Sequence, residues 1–234
     1  MLACYTPALA KHTNIRFMQT STKATKPIPK TPFFCARFDE FDLWFEGIGW
    51  DLPRTNAMMA GQENTRYADI CGDDIAAMDG LGWAFLADPV CFTATTGDGR
   101  VVASAWAAPM QTEVEKVGCN LTYAVDAQYQ GRSLAKLLSC IAFLACEQEH
   151  SGMTFANIES RSENIASVAL AESLAFQPYP DGDFTMPVAG RPDEVSFLCL
   201  RADMDALRQC AFEALRKKNL TELLLLVQAA HPGC

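Results

Sequence analysis

The chain has 234 residues, half of them hydrophobic, so it can bury a sizeable core as one large domain or a domain with appendages. No stretch approaches the ~20 uninterrupted apolar residues that span a membrane, and a soluble protein is expected. Its formal net charge of -9 leaves no basic face to neutralise phosphates, which argues against nucleic acid as a partner and favours a cationic one.

The charge is unevenly placed. Residues 1–38 hold Lys11, Arg16, Lys23, Lys26, Lys30 and Arg37 and no acid, whereas residues 39–88 hold eleven acids against Arg54 and Arg66. Residues 1–32 include a Thr, Lys, Ser and Pro stretch from Thr20 to Lys30, too poor in apolar residues to pack, and read as a flexible or surface-draped arm. A targeting peptide is disfavoured there, because no Arg-rich amphipathic helix is evident and prolines oppose one.

Phe33 to Phe38 is a candidate first strand. Phe38 to Ile48 mixes six apolar residues with acids as an amphipathic helix would, and Gly47 and Gly49 would end it. Trp50 to Thr65 carries turn signals, and Tyr67 to Leu81 reads as one or two short helices. Cys91–Thr95 and Val101–Trp106 are strand-like runs joined by Thr96-Gly97-Asp98-Gly99-Arg100, a loop of hairpin length. Pro109 to Lys116 leads into the next strand.

From Asn120 to Ala135, strand-forming Leu121, Thr122, Tyr123 and Val125 break at Asp126, pass through a polar loop with Gly131, and open into a helix. Leu134, Leu137, Leu138, Ile141, Ala142 and Ala145 make its apolar face, opposite Lys136, Ser139 and Glu147. The first turn of a helix leaves about four N–H groups unpartnered and carries about half a positive charge, so it receives anions readily. Gly131 lets an anion approach the backbone. The same residues also suit an ordinary strand-to-helix connection.

Phe155 to Glu159 follows as a short strand, and Ser162 is placed as the cap of a second helix with Ile165, Val168 and Ala169 inward. Gln177 to Asp193 is a loop before a late strand, Val195 to Leu200. From Asp203, Met204, Leu207, Ala211 and Leu215 repeat helically, and Lys217-Lys218-Asn219 closes that helix. Thr221 opens a last helix whose Leu223, Leu224 and Val227 must be buried, against the core or in a homodimer. Ten cysteines without any Cys-x-x-Cys pair, most of them in apolar runs, indicate free thiols in a reduced, cytoplasmic protein. His12, His150 and His231 show no ligand spacing, so no metal site is expected.

Gln128-Tyr129-Gln130-Gly131-Arg132-Ser133 resembles the acyl-CoA pyrophosphate loop of the GNAT superfamily of N-acetyltransferases: Gln or Arg, two residues, Gly, one residue, then Gly or Ala. Ser133 departs from that last place. Asn164, Ser167, Leu170, Glu172 and Phe176 are similar to the family's second segment, and the likeness spans roughly residues 90–200. It implies an α/β (α+β) fold: a mixed, mostly antiparallel central sheet flanked by helices. This GNAT-like acyltransferase domain would span 33–200, with an acceptor side at 33–89 and an acyl-CoA-binding core at 90–200. The arm at 1–32 would precede it and a helical tail at 201–234 would follow.

The resemblance implies acetyl-CoA as co-substrate and acetyl transfer to a primary amine of a small cationic molecule or peptide. It also implies that the strand ending at Val125 splays from the one after the helix. Backbone near Tyr123 and Val125 would then pair with the pantetheine arm, Gln128, Gln130, Gly131, Arg132 and Ser133 would hold the pyrophosphate, and Asn164 would approach from the other wall. Asn164 equally suits a helix-start residue that satisfies local backbone. Many members place a Tyr seven residues after that Asn to protonate the thiolate, and here the position is Ala171. Ser173, Tyr179, Ser167, Tyr123 or solvent would then serve, or the chain binds acyl-CoA without turnover as a regulatory module or oligomer scaffold. Glu159 and Glu115 are the carboxylates placed to act as base, and each also suits a plain surface acid.

Overall fold

A computed structural model describes residues 33–48, 89–111, 117–150, 152–186 and 193–220. The arm at 1–32, the stretches Trp50 to Thr65 and Tyr67 to Leu81, Glu115, and the helix expected from Thr221 lie outside the described residues.

The described strands are β1 (Phe33–Phe38), β2 (Phe41–Ile48), β3 (Val90–Thr95), β4 (Val101–Gln111), β5 (Val117–Val125), β6 (Phe155–Arg161), β7 (Gln177–Pro178), β8 (Phe184–Met186) and β9 (Val195–Asp203). They form one sheet in the order β1-β2-β3-β4-β5-β6-β9-β7, with β8 also on β9. Every pair is antiparallel except β5–β6. The helices are α1 (Leu134–Glu149), α2 (Ile165–Glu172) and α3 (Met204–Lys217). This is the mixed, mostly antiparallel sheet with flanking helices that the resemblance implies.

One expectation fails at the start. Residues 41–48 are a strand, not a helix: Phe38 pairs with Phe41 across a two-residue turn at Asp39, whose φ of 52° is left-handed. Phe41, Leu43 and Phe45 are buried on one face, with Asp42 and Trp44 between them, which is the period-two pattern of a strand. The same apolar set also fits a helical period; pairing with β1 and β3 decides between the two. Gly47 does not end a helix but follows a bulge between Phe45 and Gly47 that brings Glu46 into the interior, 3% exposed.

One sheet face lies against α1. Phe92 and Ala94 of β3, Ala103, Ala105 and Ala107 of β4, and Cys119 and Leu121 of β5 share a core with Leu134, Leu137, Leu138 and Ile141. The small residues of β4 let the helix lie close. Ser139, expected on the polar face of α1, is fully buried, because α3 covers the side of α1 that faces away from the sheet. Arg208 of α3 ties the two helices together, its Nε donating to Glu147 Oε2 at 3.0 Å.

α3 buries Met204, Leu207, Ala211 and Leu215 and is capped by Asp203, whose carboxylate accepts from Asp205 N at 2.9 Å. It closes at Asn219, with a φ of 56° and Leu220 N donating to Leu215 O at 2.9 Å. The expected cysteine burial holds for Cys91, Cys140, Cys146 and Cys199, while Cys210 is half-buried. No helix among the described residues is long and apolar enough to cross a membrane.

Candidate functional site

The parallel pairing of β5 and β6 is short. Gly118, Cys119 and Asn120 pair with Phe155, Ala156 and Asn157, and there the register ends. Beyond it β5 stays on β4 as far as Ala103↔Val125, and β6 stays on β9 as far as Arg161↔Phe197. The outer edges of both strands remain paired while their inner edges part, so a fork opens with its apex at Asn120 and Asn157. The inner edge of β5 from Leu121 to Val125 meets no strand among the described residues, and its backbone groups can be satisfied by a bound extended chain.

The loop at the mouth of the fork is held from within. Asp126 accepts from Gln128 N at 3.0 Å, Tyr129 N donates to Asp126 O at 2.8 Å, and Arg100 pairs with the Asp126 carboxylate at 2.5 Å. Gln130 Nε2 reaches Val125 O at 3.5 Å. Gly131 has a φ of 76°, and a Cβ added there meets nothing within 4 Å, so its outer side is open space. Ser133, with a φ of 65°, is the N-cap of α1 and makes no side-chain cap bond, which leaves the first N–H groups of the helix available.

Two left-handed residues, Gly131 and Ser133, therefore bend the loop. If the glycine pattern is placed two residues later, at Gln130, Ser133 and Ala135, Ser133 occupies a position whose backbone a glycine would adopt without strain. Arg132 is exposed, ion-paired with Glu40 and 5.5 Å from the Tyr129 ring.

The side walls differ from the expectation in detail. α2 is capped by Asn164, whose side chain accepts from Ser167 N at 3.2 Å; Ser162, expected to cap it, is exposed and precedes the cap. Ile165 and Ala169 are exposed rather than inward, Ile165 at 79%, and Val168 is half-buried. This short helix touches the core through Val168, Leu170 and Ala171, and the residues after it do so through Leu174 and Phe176. Tyr123 crosses from β5 to α2, its hydroxyl 2.7 Å from Ser167 Oγ and donating to Ser167 O at 3.1 Å. Burial pushes its pKa up to about 12.

Three of the four catalytic candidates lie among the described residues, on α2, beside β9 and on β6. Ser173 caps the end of α2, donating to Leu170 O at 2.7 Å and accepting from Lys136 of α1 at 3.1 Å. Tyr179 lies over β9, its N–H donating to Cys199 O at 2.8 Å. Glu159 stands on the length of β6 beyond the apex, on the sheet face away from α1. It is exposed, and desolvation raises the pKa of its carboxyl. Glu115 lies outside the described residues.

Sequence reasoning overlooked four side chains on that face, in two hydrogen-bonded pairs. Glu46 accepts a hydrogen bond from Thr93 Oγ1. Asn157, 3% exposed, accepts from Arg201 Nε at 2.9 Å. Polar residues at alternate places in otherwise apolar strands were the available signal.

No family model and no curated protein matches the sequence. Solved structures do. An uncharacterized protein from Bacillus halodurans is similar with a TM-score of 0.52 at 12% identity, over 80% of this chain and 98% of that one. NAA60 from Arabidopsis thaliana, a structure in complex with acetyl-CoA, is similar with a TM-score of 0.52 at 11% identity, over 70% of this chain and 99% of that one. An N-acetyltransferase from Staphylococcus aureus Mu50 is similar with a TM-score of 0.50 at 13% identity, over 71% and 99%. At such identities the likeness is one of fold.

Proposed function

On the premise that the chain has the fold of the GNAT superfamily, we propose that it is an acetyl-CoA-dependent N-acetyltransferase acting on a primary amine of a small cationic molecule or peptide. The observation that carries this reading is the fork: β5 and β6 part after Asn120 and Asn157, and the open loop at Gly131 stands at its mouth. In this reading the backbone N–H groups from Gln128 to Ser133 hold the pyrophosphate, and the free edge of β5 at Tyr123 and Val125 takes the pantetheine arm. Asn164 stands on the opposite wall, already engaged as a helix cap.

The amine nitrogen attacks the thioester carbonyl carbon; a C–N bond forms and the C–S bond breaks. One amine proton goes to a base and the departing thiolate takes a proton from a donor or water. Glu159 fits the base best, because a carboxyl with a raised pKa accepts a proton more readily near neutral pH. Ser173 and Tyr179 fit the donor role less well, since one is engaged by Lys136 and the other lies against Arg201. Water suffices for the thiolate.

Ala171 favours a second reading, an acyl-CoA-binding module without turnover, because this residue is fully buried and offers no proton. Free-thiol release from acetyl-CoA across polyamines, aminoglycosides and peptides, alongside calorimetric titration with acetyl-CoA, separates the two. Release above background with at least one amine is expected. Binding without release supports the module, and neither binding nor release overturns both.

A further inference from the structure

We propose that Arg201 recognises a carboxylate on the acceptor, so that the amine acetylated here belongs to an amino acid, a basic one on the reading above, or to a similar carboxylate-bearing amine. This rests on the transferase reading above. The registers Asn120↔Asn157 and Asn157↔Arg201 put three polar residues in one row across β5, β6 and β9, at the apex where the fork begins. The row stands on the sheet face away from α1, the face that Glu159 shares.

Arg201 is built in, not draped. Its Nε donates to the buried Asn157 at 2.9 Å, and its guanidinium carbon lies 4.1 Å from the Phe155 ring centroid and 3.6 Å from that of Tyr179. The rings are themselves wedged in by glycines. A Cβ at Gly118 would come within 2.4 Å of Phe155, and one at Gly182 within 2.9 Å of Tyr179, so each ring rests where only glycine leaves room. Contact with the two rings restrains the guanidinium and Nε is taken by Asn157, which leaves its Nη edge as the side able to bind. That edge matches a carboxylate in a two-point hydrogen bond.

The charge is also uncompensated. The buried Arg161 and the exposed Arg208 pair with Glu163 and Glu147, whereas no carboxylate among the described residues comes within 4.0 Å of Arg201. Glu159 lies a diagonal step away, opposite Cys199, about 7 Å across the sheet, and does not close onto it. A base and a fixed cation held apart on one face suit a ligand whose amine faces Glu159 while its carboxylate sits on Arg201.

The test uses the full chain and the variants Arg201→Met and Arg201→Lys, with glycine, alanine, glutamate and lysine each offered as free acid and as carboxamide. The wild type is expected to favour the acids at least tenfold in kcat/KM, chiefly through KM. Arg201→Met should lose that preference, and Arg201→Lys should keep part of it. A wild type indifferent to the carboxylate, or an Arg201→Met variant with the ratio unchanged, overturns the proposal; the latter leaves the stack a purely structural role. Calorimetric titration of the same compounds with CoA present reads the site without turnover. Acid binding lost in Arg201→Met supports the proposal even if the transferase reading fails, and no acid binding to the wild type refutes it. Thermal melting identifies a misfolded Met variant, in which case Arg201→Lys decides through the same ratio.

Discussion

On the mouth side of the β5–β6 fork the groups offered to a ligand belong to the backbone: the open bend at Gly131, the left-handed Ser133 and the edge of β5 that meets no strand among the described residues. At the apex and along β6 they are side chains: Asn157, Glu159 and Arg201, set by strand register and by rings wedged against glycines. Backbone sites tolerate changes of neighbouring side chains but not of chain conformation. Side-chain sites keep their fold under substitution and lose their chemistry at once. A shared donor and a variable acceptor would make different use of these two kinds of construction.

The sharpest way to break this contrast is Glu159→Gln. On the proposed mechanism it lowers kcat about 100-fold or more. In the wild type kcat should rise with pH through the raised Glu159 pKa, because the base must first lose its proton; the variant should lose that limb, as pH–rate profiles would reveal. If the limb persists, another group is the base.

Gly131→Leu tests the backbone side. It should weaken acetyl-CoA at least tenfold in a titration, since the new side chain occupies the open space at the loop, while melting shifts by only the ~1–2 kcal/mol of a left-handed non-glycine residue. Gly97→Leu, also in open space but in the distant β3–β4 loop, should leave affinity unchanged.

Tyr123→Phe sharpens the picture of the α2 wall. Removing the hydroxyl that meets Ser167 should cost about 1 kcal/mol in denaturant unfolding. Arg132→Ala should matter least, at most ~1 kcal/mol in acetyl-CoA affinity, because its side chain is exposed and already paired with Glu40.

Much of the donor side was legible in order along the chain. The strand to Val125, the break at Asp126, Gly131 and the apolar spacing of α1 are local features, and local propensity decides them. The β3–β4 hairpin was legible for the same reason. Residues 38–48 were not, because Phe41, Leu43, Phe45 and Ile48 satisfy both a helical and a strand period, and only partners in space separate the two. α2 misled for a related reason. Its eight residues touch the core mainly at one end, so the inward positions assigned to Ile165 and Ala169 face solvent, and Asn164 rather than Ser162 reaches the free N–H of Ser167.

The sequence by itself determined that a strand, a glycine bend and an amphipathic helix follow one another from Asn120 to Glu149, since each rests on residues within a few positions of one another. Only the tertiary structure decided that β5 and β6 part after three residue pairs, and that Asn157 and Arg201, 44 residues apart, share a hydrogen bond. Strand register is a relation between distant segments, settled by which faces can be buried together, and no local pattern encodes it.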